Sequence, residues 1–150
     1  GSLIQGESKI DEALTKRPRI KYMYLNPEGE INEDAVAVIK TADLIVLGPG
    51  DLYTSIIPNL LVNNFSHIIA ISKAKKVYIT NLMTKLGQTD DFTVSDHVLE
   101  IDAYLGSGFL DYVLINNKKQ QKKFWIGMEV LIMLNMLRMI YTIKKLPKQK

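Results

Sequence analysis

The 150-residue sequence contains no cysteine, which excludes disulfide bonds and metal sites built on thiolates. It contains two histidines, so imidazole chemistry is restricted to His67 and His97. Its first residues do not form a basic segment followed by a long apolar stretch, and we therefore expect no signal peptide. Together these absences favour a cytoplasmic protein.

An excess of positive charge is missing from most of the chain, although the net charge is +3. Residues 1–117 contain 10 Lys and Arg against 15 Asp and Glu, whereas residues 118–150 contain 9 against 1. A chain of this length is long enough for one domain with a hydrophobic core, and residues 1–117, which would form that domain, carry a net negative charge. We therefore expect no nucleic-acid partner for the folded part.

One stretch is expected to organise the fold. Residues 44–47 are continuously apolar, which predicts a parallel-sheet strand covered on both faces. A tight Gly48-Pro49-Gly50 turn follows, then the hydroxyl side chains of Tyr53, Thr54 and Ser55 and a helix entered at Pro58. Glycine lets a backbone approach a ligand closely, and free N–H groups at a helix start attract anions. The stretch predicts a binding corner for a phosphate, although a simple strand-to-helix turn also accounts for the tripeptide.

The remaining periodicity predicts an α/β fold. An Asn32 N-cap predicts a helix to Thr41, and Lys73, Lys75 and Lys76 are expected to close a later helix at its carbonyl end. We predict further strands at residues 19–25, 76–81 and 110–117, and further helices at residues 58–72 and 94–105. The first predicted strand, the Asn32 helix and the 44–47 strand would form a right-handed βαβ unit. The expected fold class is Rossmann-like, a mostly parallel sheet with flanking helices.

Polar residues follow the second central strand. Asn81, Thr84, Gln88 and Thr89 lie in the loop after it, and carboxyl ends of parallel strands meet at one edge, so this loop and the Gly48 loop should share a crevice. His67 is expected to be a surface residue.

The adjacent pair Asp96-His97 allows two interpretations, which the spacing leaves open. Either His97 is held near a phosphate or poised as an acid or base, or Asp96 lies in a helical first turn after a Thr93 cap and His97 is exposed or capped.

Two ordered blocks resemble a known family. The string GPGDLYTSIIPNLL at residues 48–61 resembles the signature of the YvcK-like gluconeogenesis factors, in the CofD-like superfamily that includes 2-phospho-L-lactate transferase. The block KAKKVYITNLMT at residues 73–84, followed by GQTD at 87–90 and SDH at 95–97, is similar to the same family in the same order. GES at residues 6–8 resembles an internal landmark, which implies that a glycine-rich nucleotide loop lies upstream. The resemblance implies that residues 1–117 are the C-terminal part of an incomplete YvcK/CofD-like domain.

The resemblance also implies a function. It implies a module that binds a phosphorylated ligand of the nucleotide-sugar type and supports cell-wall and cell-shape control during growth on gluconeogenic carbon. The alternative is an enzyme resembling 2-phospho-L-lactate transferase, which would use a nucleotide-activated donor with Mg²⁺. A third hypothesis is a fragment without activity of its own. The residues leave open a homo-oligomer, and they predict no membrane span. The predicted ligand-binding residues are Gly48, Pro49, Gly50, Tyr53, Thr54, Ser55, Asn59, Asn81, Thr84, Thr89, Asp96 and His97.

Three residues depart from the pattern of the family that the chain resembles. Asp51 stands where the family usually has Ser, Lys85 replaces a commoner Gln, and Gln88 stands where Glu is expected. The loop after the GPG turn also differs from the Gly-Pro-Ser-Asn type expected of the transferase branch, which favours the ligand-binding module.

The tail at residues 118–150 differs in composition from the rest. It begins with lysines and continues with a largely apolar run at residues 124–143, in which Glu129, Asn135 and Arg138 argue against a membrane helix and favour an amphipathic one. Lysine codons are rich in adenine and are candidate slippage sites. We hypothesise that the tail is out of frame, which sequencing of the coding DNA would test.

Overall fold

The computed structural model describes residues 2–117 and the backbone of residues 141–145. The helices are α1 (Glu7–Asp11), α2 (Glu33–Thr41), a π-helical turn (Leu52–Ile56), α3 (Ile57–Leu60), α4 (Phe65–Ile71) and α5 (Val94–Leu105). The strands are β1 (Leu44–Leu47), β2 (Lys75–Ile79), β3 (Tyr112–Asn116) and β4 (Tyr141–Lys145).

The four described strands form one sheet in the order β1-β2-β3-β4. β1 and β2 are parallel, with Val46 opposite Val77, and β2 and β3 are parallel, with Tyr78 opposite Val113. β4 adds antiparallel to β3. The predicted α/β fold with a mostly parallel sheet and flanking helices is confirmed.

The hydrophobic core lies on one face of this sheet. Leu47, Tyr78 and Val113 extend from the three parallel strands into a cluster with residues of α3, α4 and α5. Leu60, Ile69 and Ile101 are the buried contributions of those helices. Because successive side chains along a strand point to opposite faces of the sheet, Leu44 and Val46 lie on the face opposite the core.

The expectation that β1 is covered on both faces is wrong. Leu44 is 54% exposed and Val46 is 48% exposed. β1 is one of the two outer strands of the described sheet, and the described residues leave the side chains on its second face half exposed.

The predicted strand at residues 19–25 is also wrong. These residues have no strand partner in the described part of the chain, and the N–H of Met23 donates to the hydroxyl of Tyr104 at 2.9 Å. The βαβ unit predicted from them is therefore wrong as well, because the parallel neighbour of β1 is β2. The alternating apolar pattern therefore lies in a segment whose Met23 N–H binds a helix side chain and not a neighbouring strand.

The single helix predicted for residues 58–72 is interrupted. α3 ends at Leu60, and α4 begins after Asn64, whose φ of 62° lies in the left-handed region. Asparagine tolerates that region better than most residues do. Lys73, Lys75 and Lys76, which were predicted to close this helix, lie beyond its last turn. Only the ammonium of Lys76 is seen to contact the helix end, where it donates to the carbonyl of the C-cap residue Ser72 at 2.7 Å, whereas Lys75 pairs with Asp111.

The two helices that start at predicted caps agree with the sequence. The Asn32 side chain accepts a hydrogen bond from the N–H of Asp34 at 2.7 Å, which begins α2. Thr93 and Asp96 form a reciprocal capping box at the start of α5, and Gly106, with a φ of 101°, ends that helix. Aspartate therefore completes the box here, although Glu or Gln is commoner at that position.

The predicted amphipathic helix at residues 124–143 lies outside the described residues up to position 140. Residues 141–143 belong to β4, so the helix prediction is wrong there. The out-of-frame hypothesis concerns residues 118–150, of which the structure describes only the backbone of residues 141–145, and it stays a hypothesis. Among the described residues, none of the helices is both long enough and apolar enough to cross a membrane.

Candidate functional site

The loops after β1 and β2 meet at the carboxyl edge of the sheet. The N–H of Gly50 donates to the side-chain oxygen Oδ1 of Asn81 at 3.2 Å. Gly48 has a φ of +84°, and a Cβ there would lie 2.9 Å from the carbonyl oxygen of Ile79. Glycine is therefore required at position 48 by the close approach of the two strand ends.

One cavity lies along β1 and has a volume of about 340 Å³. It is called the apolar cavity below, since Ile39, Ile45, Phe65 and Ile69 form much of its wall. Five of the predicted ligand-binding residues line it, namely Gly48, Pro49, Gly50, Ser55 and Asn59.

A second cavity of about 350 Å³ lies where β2 and β3 end. It is called the polar cavity, because hydroxyl, amide and imidazole groups line it alongside a few apolar side chains. Three of the predicted residues, Asn81, Thr84 and His97, line it. The Gly50–Asn81 hydrogen bond thus connects the wall of the apolar cavity to the wall of the polar cavity.

His97 is buried against the polar cavity and is only 5% exposed. Its Nδ1 donates to the carbonyl of Thr93 at 2.9 Å, since a carbonyl can only accept. Its Nε2 is buried and has no hydrogen-bond partner in the described structure. The interpretation of His97 as an exposed residue is wrong, whereas His67 is on the surface as predicted. An unpartnered buried nitrogen is costly unless a ligand or water binds it.

Asp96 has a structural position in the same helix. Its Oδ2 accepts from the hydroxyl of Thr93 at 2.6 Å, and its Oδ1 accepts from Arg19 at 2.8 Å. The Thr93 hydroxyl, the Thr93 N–H and the Arg19 guanidinium hold the pKa of this carboxyl well below its usual range. The predicted placement of Asp96 in a helical first turn is confirmed, and its oxygens bind the cap and not the polar cavity.

A cluster around Lys85 connects three segments and is called the Lys85 cluster. The ammonium of Lys85 contacts the carboxylates of Asp11 and Asp51, the latter at 2.6 Å. Thr54 donates to Asp11 at 3.1 Å, and the amide of Gln88 donates to Asp11 at 3.3 Å. The hydrogen bond from Lys85 lowers the pKa of Asp11. The cluster ties α1 to both loops of the site.

The Mg²⁺ expected for the transferase alternative does not fit these residues. The oxygen Oδ2 of Asp51, the carboxylate nearest the glycine turn, already binds an ammonium group. Across residues 2–117, moreover, there is no group of three or more carboxylate, histidine or cysteine side chains arranged to hold a metal ion.

Four of the predicted ligand-binding residues are engaged elsewhere. Tyr53 is fully buried in the core, and burial together with the neighbouring Glu100 carboxylate raises the pKa of its hydroxyl. The hydroxyl of Thr89 accepts from the N–H of Lys85 at 2.8 Å and closes the loop. Thr54 donates to Asp11 in the Lys85 cluster, and Asp96 binds Thr93 and Arg19.

The structure adds residues to the polar cavity that the predicted set omits. Thr80 and Asn116 line it from the ends of β2 and β3, and Phe92 and Thr93 line it from the start of α5. The position of Thr80 and Asn116 at strand ends is a signal that could have identified them. Phe92 has no comparable signal in the sequence.

Comparison with known proteins gives consistent results. Residues 1–128 match the family model described as 2-phospho-L-lactate transferase CofD. The chain is 44% identical over 124 residues to the gluconeogenesis factor of Listeria monocytogenes, covering 82% of this chain and 38% of that protein. It is 44% identical over 120 residues to the gluconeogenesis factor of Bacillus subtilis, covering 79% of this chain and 37% of that protein.

A solved structure shows the same fold. A protein of the UPF0052 family from Bacillus halodurans superposes with a TM-score of 0.76 at 39% identity, covering 83% of this chain and 39% of that one. The chain thus spans well under half the length of these relatives. With the match over residues 1–128, the chain belongs to the CofD family, as a partial YvcK-like protein related to the gluconeogenesis factors.

Proposed function

We propose that this chain is the ligand-binding part of a gluconeogenesis factor, and that it binds a phosphorylated ligand of the nucleotide-sugar type. The observation that supports this most directly is the unpartnered Nε2 of His97 at the polar cavity. In the neutral ring with Nδ1 protonated, Nε2 is an acceptor, and it suits a hydroxyl or N–H of a ligand. Related proteins named gluconeogenesis factors support the physiological assignment.

The lining of the polar cavity supports an uncharged ligand moiety. The described residues that line it include no Lys, Arg, Asp or Glu. Asn81 and Thr84 contribute an amide and a hydroxyl group, which recognise sugar hydroxyls or a nucleobase edge. Asn81 is already oriented by Gly50. The phosphates would then lie against the backbone of residues 48–50, beside the same hydrogen bond.

The cellular role follows from the relatives and not from the cavity. In this proposal the protein acts in the cytoplasm as a binding module, and ligand occupancy supports cell-wall and cell-shape control during gluconeogenic growth. The family description, 2-phospho-L-lactate transferase, supports the alternative of a transferase that uses a nucleotide-activated donor. The carboxylate of Asp51 already pairs with the ammonium of Lys85, which favours the binding module over a transferase that would hold Mg²⁺ at Asp51.

Calorimetric titration tests the proposal. We expect UDP-N-acetylglucosamine to bind this chain without a divalent cation, and His97→Asn to weaken binding by about tenfold through the lost hydrogen bond. The matched control is His67→Asn, which changes the other histidine, on the surface of α4, and should bind as the unchanged chain does.

Two results would contradict the proposal. One is the absence of binding by UDP-N-acetylglucosamine to the unchanged chain, and the other is equal affinity in the His97→Asn and His67→Asn variants. Binding of a guanine nucleotide that depends on Mg²⁺ would instead support the transferase alternative.

A further inference from the structure

Arg19 lies in the irregular segment between α1 and α2 and contacts the start of α5 in two ways. Its guanidinium carbon Cζ lies 4.5 Å from the centre of the Phe92 ring. Its Nη1 donates to Oδ1 of Asp96 at 2.8 Å. A guanidinium packs well on an aromatic ring, because it is flat and its positive charge meets the negative face of the ring. Arg19 therefore covers one face of Phe92 and is itself held in place by Asp96.

The Phe92 ring in turn contacts His97. The two ring centres are 5.3 Å apart and the ring planes meet at 83°, an edge-to-face arrangement. Both side chains are buried, and both line the polar cavity. Phe92 is also packed against Tyr53, with ring centres 6.5 Å apart. The position of the Phe92 ring thus restricts the directions in which the imidazole of His97 can point.

The imidazole needs such a restriction, because only one hydrogen bond orients it within the described structure. Its Nδ1 donates to the carbonyl of Thr93 at 2.9 Å, and the same carbonyl also accepts the backbone N–H of His97 at 3.2 Å. A single neutral hydrogen bond favours one ring orientation by only about fivefold. Packing against Phe92 therefore has to supply the remaining preference for the orientation in which Nε2 faces the polar cavity.

We propose that Arg19 is a positioning residue for the ligand site, which acts through Phe92 to keep Nε2 of His97 aimed into the polar cavity. Arg19 itself does not line that cavity. Its predicted effect on ligand affinity rests on the proposed function. The orientation of the imidazole in the chain without ligand does not, and it can be measured separately.

The simpler role for Arg19 is to anchor the segment between α1 and α2. That segment has two other attachments to the same region. The N–H of Met23 donates to the hydroxyl of Tyr104 at 2.9 Å, and the ammonium of Lys16 pairs with Asp91 at 2.8 Å. Neither attachment involves the ring that Arg19 covers. Anchoring and positioning can therefore be separated by substitution.

Nitrogen-15 NMR of the histidine rings provides the test, at about pH 8, where an ordinary imidazole is neutral. In the chain without ligand we expect His97 to show a protonated Nδ1 and an unprotonated Nε2. Arg19→Met keeps an aliphatic stem but removes the charge and the flat contact. It should bring the two nitrogen shifts closer together, because the ring then also samples the form in which Nε2 carries the proton. The His67→Asn variant identifies which signals belong to His97.

Two control variants remove the other attachments of the segment. Lys16→Met makes the same change of charge as Arg19→Met, at a side chain of similar exposure. Tyr104→Phe removes the acceptor of the Met23 N–H, and it should lower the unfolding temperature. Neither variant should change the nitrogen shifts of His97.

Calorimetry with UDP-N-acetylglucosamine gives a second readout. We expect Arg19→Met to weaken binding by about fivefold. Arg19→Lys should restore part of the affinity, because lysine keeps a charge near Asp96 but not the flat contact. Phe92→Leu should also weaken binding, and the double variant should lose much less than the product of the two single losses, because both changes disrupt one contact.

Three results would overturn the proposal. They are unchanged nitrogen shifts in Arg19→Met, losses of affinity that multiply in the double variant with Phe92→Leu, and the same change of shifts in Tyr104→Phe, which would show that Arg19 only anchors the segment. If Arg19→Met fails to fold, Arg19→Lys and Phe92→Leu provide the same comparison of shifts. Absence of ligand binding by the unchanged chain would contradict the proposed function, whereas the shifts would still decide the role of Arg19.

Discussion

The ammonium of Lys85 lies 2.6 Å from the carboxylate oxygen Oδ2 of Asp51, which ties the loop after β2 to the loop after β1. The resemblance described above predicts other residues at both positions, and also at position 88, where Gln88 contacts the same cluster through Asp11. Residues far apart in the sequence therefore meet at one point beside the site. The negative charge of Asp51 is paired with the positive charge of Lys85.

Replacing Lys85 tests how much this bridge contributes to stability. Lys85→Met keeps most of the aliphatic stem but leaves the carboxylates of Asp11 and Asp51 without their shared cation. We expect thermal unfolding to occur about 2–4 °C lower, since the pair is only partly shielded from solvent. Lys16→Met removes the exposed Lys16–Asp91 pair and should not change the unfolding temperature measurably. Equal effects of the two changes would contradict a special contribution of the Lys85 cluster.

Gly87 is predicted to be less replaceable than Gly108. Both have positive φ, 72° and 80°, so alanine at either position costs about 1–2 kcal/mol of backbone strain. A Cβ at Gly87 would in addition overlap the Cβ of Ala13, whereas one at Gly108 would have no neighbour within 4 Å. Denaturant unfolding should therefore show a larger loss for Gly87→Ala than for Gly108→Ala, and similar losses would refute the close packing of residue 13 on this loop.

The capping box of α5 should make stability depend on pH in the acid range. The folded-state pKa of Asp96 is depressed, so its contribution is fully present above the unfolded value of about 3.9 and is lost as the pH falls below it. The stability difference between the unchanged chain and Asp96→Asn should be largest at about pH 6 and should shrink towards about pH 3. Urea unfolding at several pH values measures it.

Asp34→Asn is the control for that experiment. Asp34 also lies in a helical first turn, but the α2 cap is made by the side chain of Asn32 accepting from the Asp34 N–H, which the substitution preserves. We expect a smaller effect with little pH dependence. A constant difference for Asp96→Asn across the same pH range would show that ionised Asp96 contributes nothing to the cap.

A charge at position 81 should separate ligand binding from folding. Asn81→Asp retains an oxygen that accepts from Gly50, so the loop should keep its conformation. Its negative charge would repel phosphates bound beside residues 48–50, and we expect affinity for UDP-N-acetylglucosamine to fall by about tenfold or more. Asn63→Asp places the same charge in the turn between α3 and α4 and should bind normally. Unchanged affinity in the Asn81→Asp variant would show that the phosphates do not bind at this edge of the sheet.

Elements with local signals were predictable from the sequence. The four apolar residues of β1 and the caps at Asn32 and Thr93 lie within a few positions of the structure they specify. Residues 19–25 were not predictable in this way, because the same alternation suits a strand or a segment whose Met23 binds Tyr104, 81 positions away. The break at Asn64 similarly depends on one residue adopting a left-handed conformation.

For the site, the sequence determined which loops would meet. Residues that follow parallel strands lie at one edge, which brought Gly50 and Asn81 into contact. The predicted single crevice is instead two cavities, one lined by residues 48–50 and the other by residues 80–84. Only the tertiary structure decided which side chains face a cavity. In the folded chain His97 is buried with its Nε2 unpartnered, the Asp96 carboxylate binds the Thr93 hydroxyl at the start of α5, and Tyr53 lies in the core.

The physical reason is the range of the interactions. The hydrophobic period, the caps and the turns depend on residues a few positions apart. The sequence by itself therefore determined the three parallel strands, most helices and the family. Burial and charge pairing depend on residues such as Asp11 and Lys85, 74 positions apart, that only packing brings into contact. The exposed edge of β1 belongs to the same class, because coverage is a property of neighbouring elements and not of the strand itself.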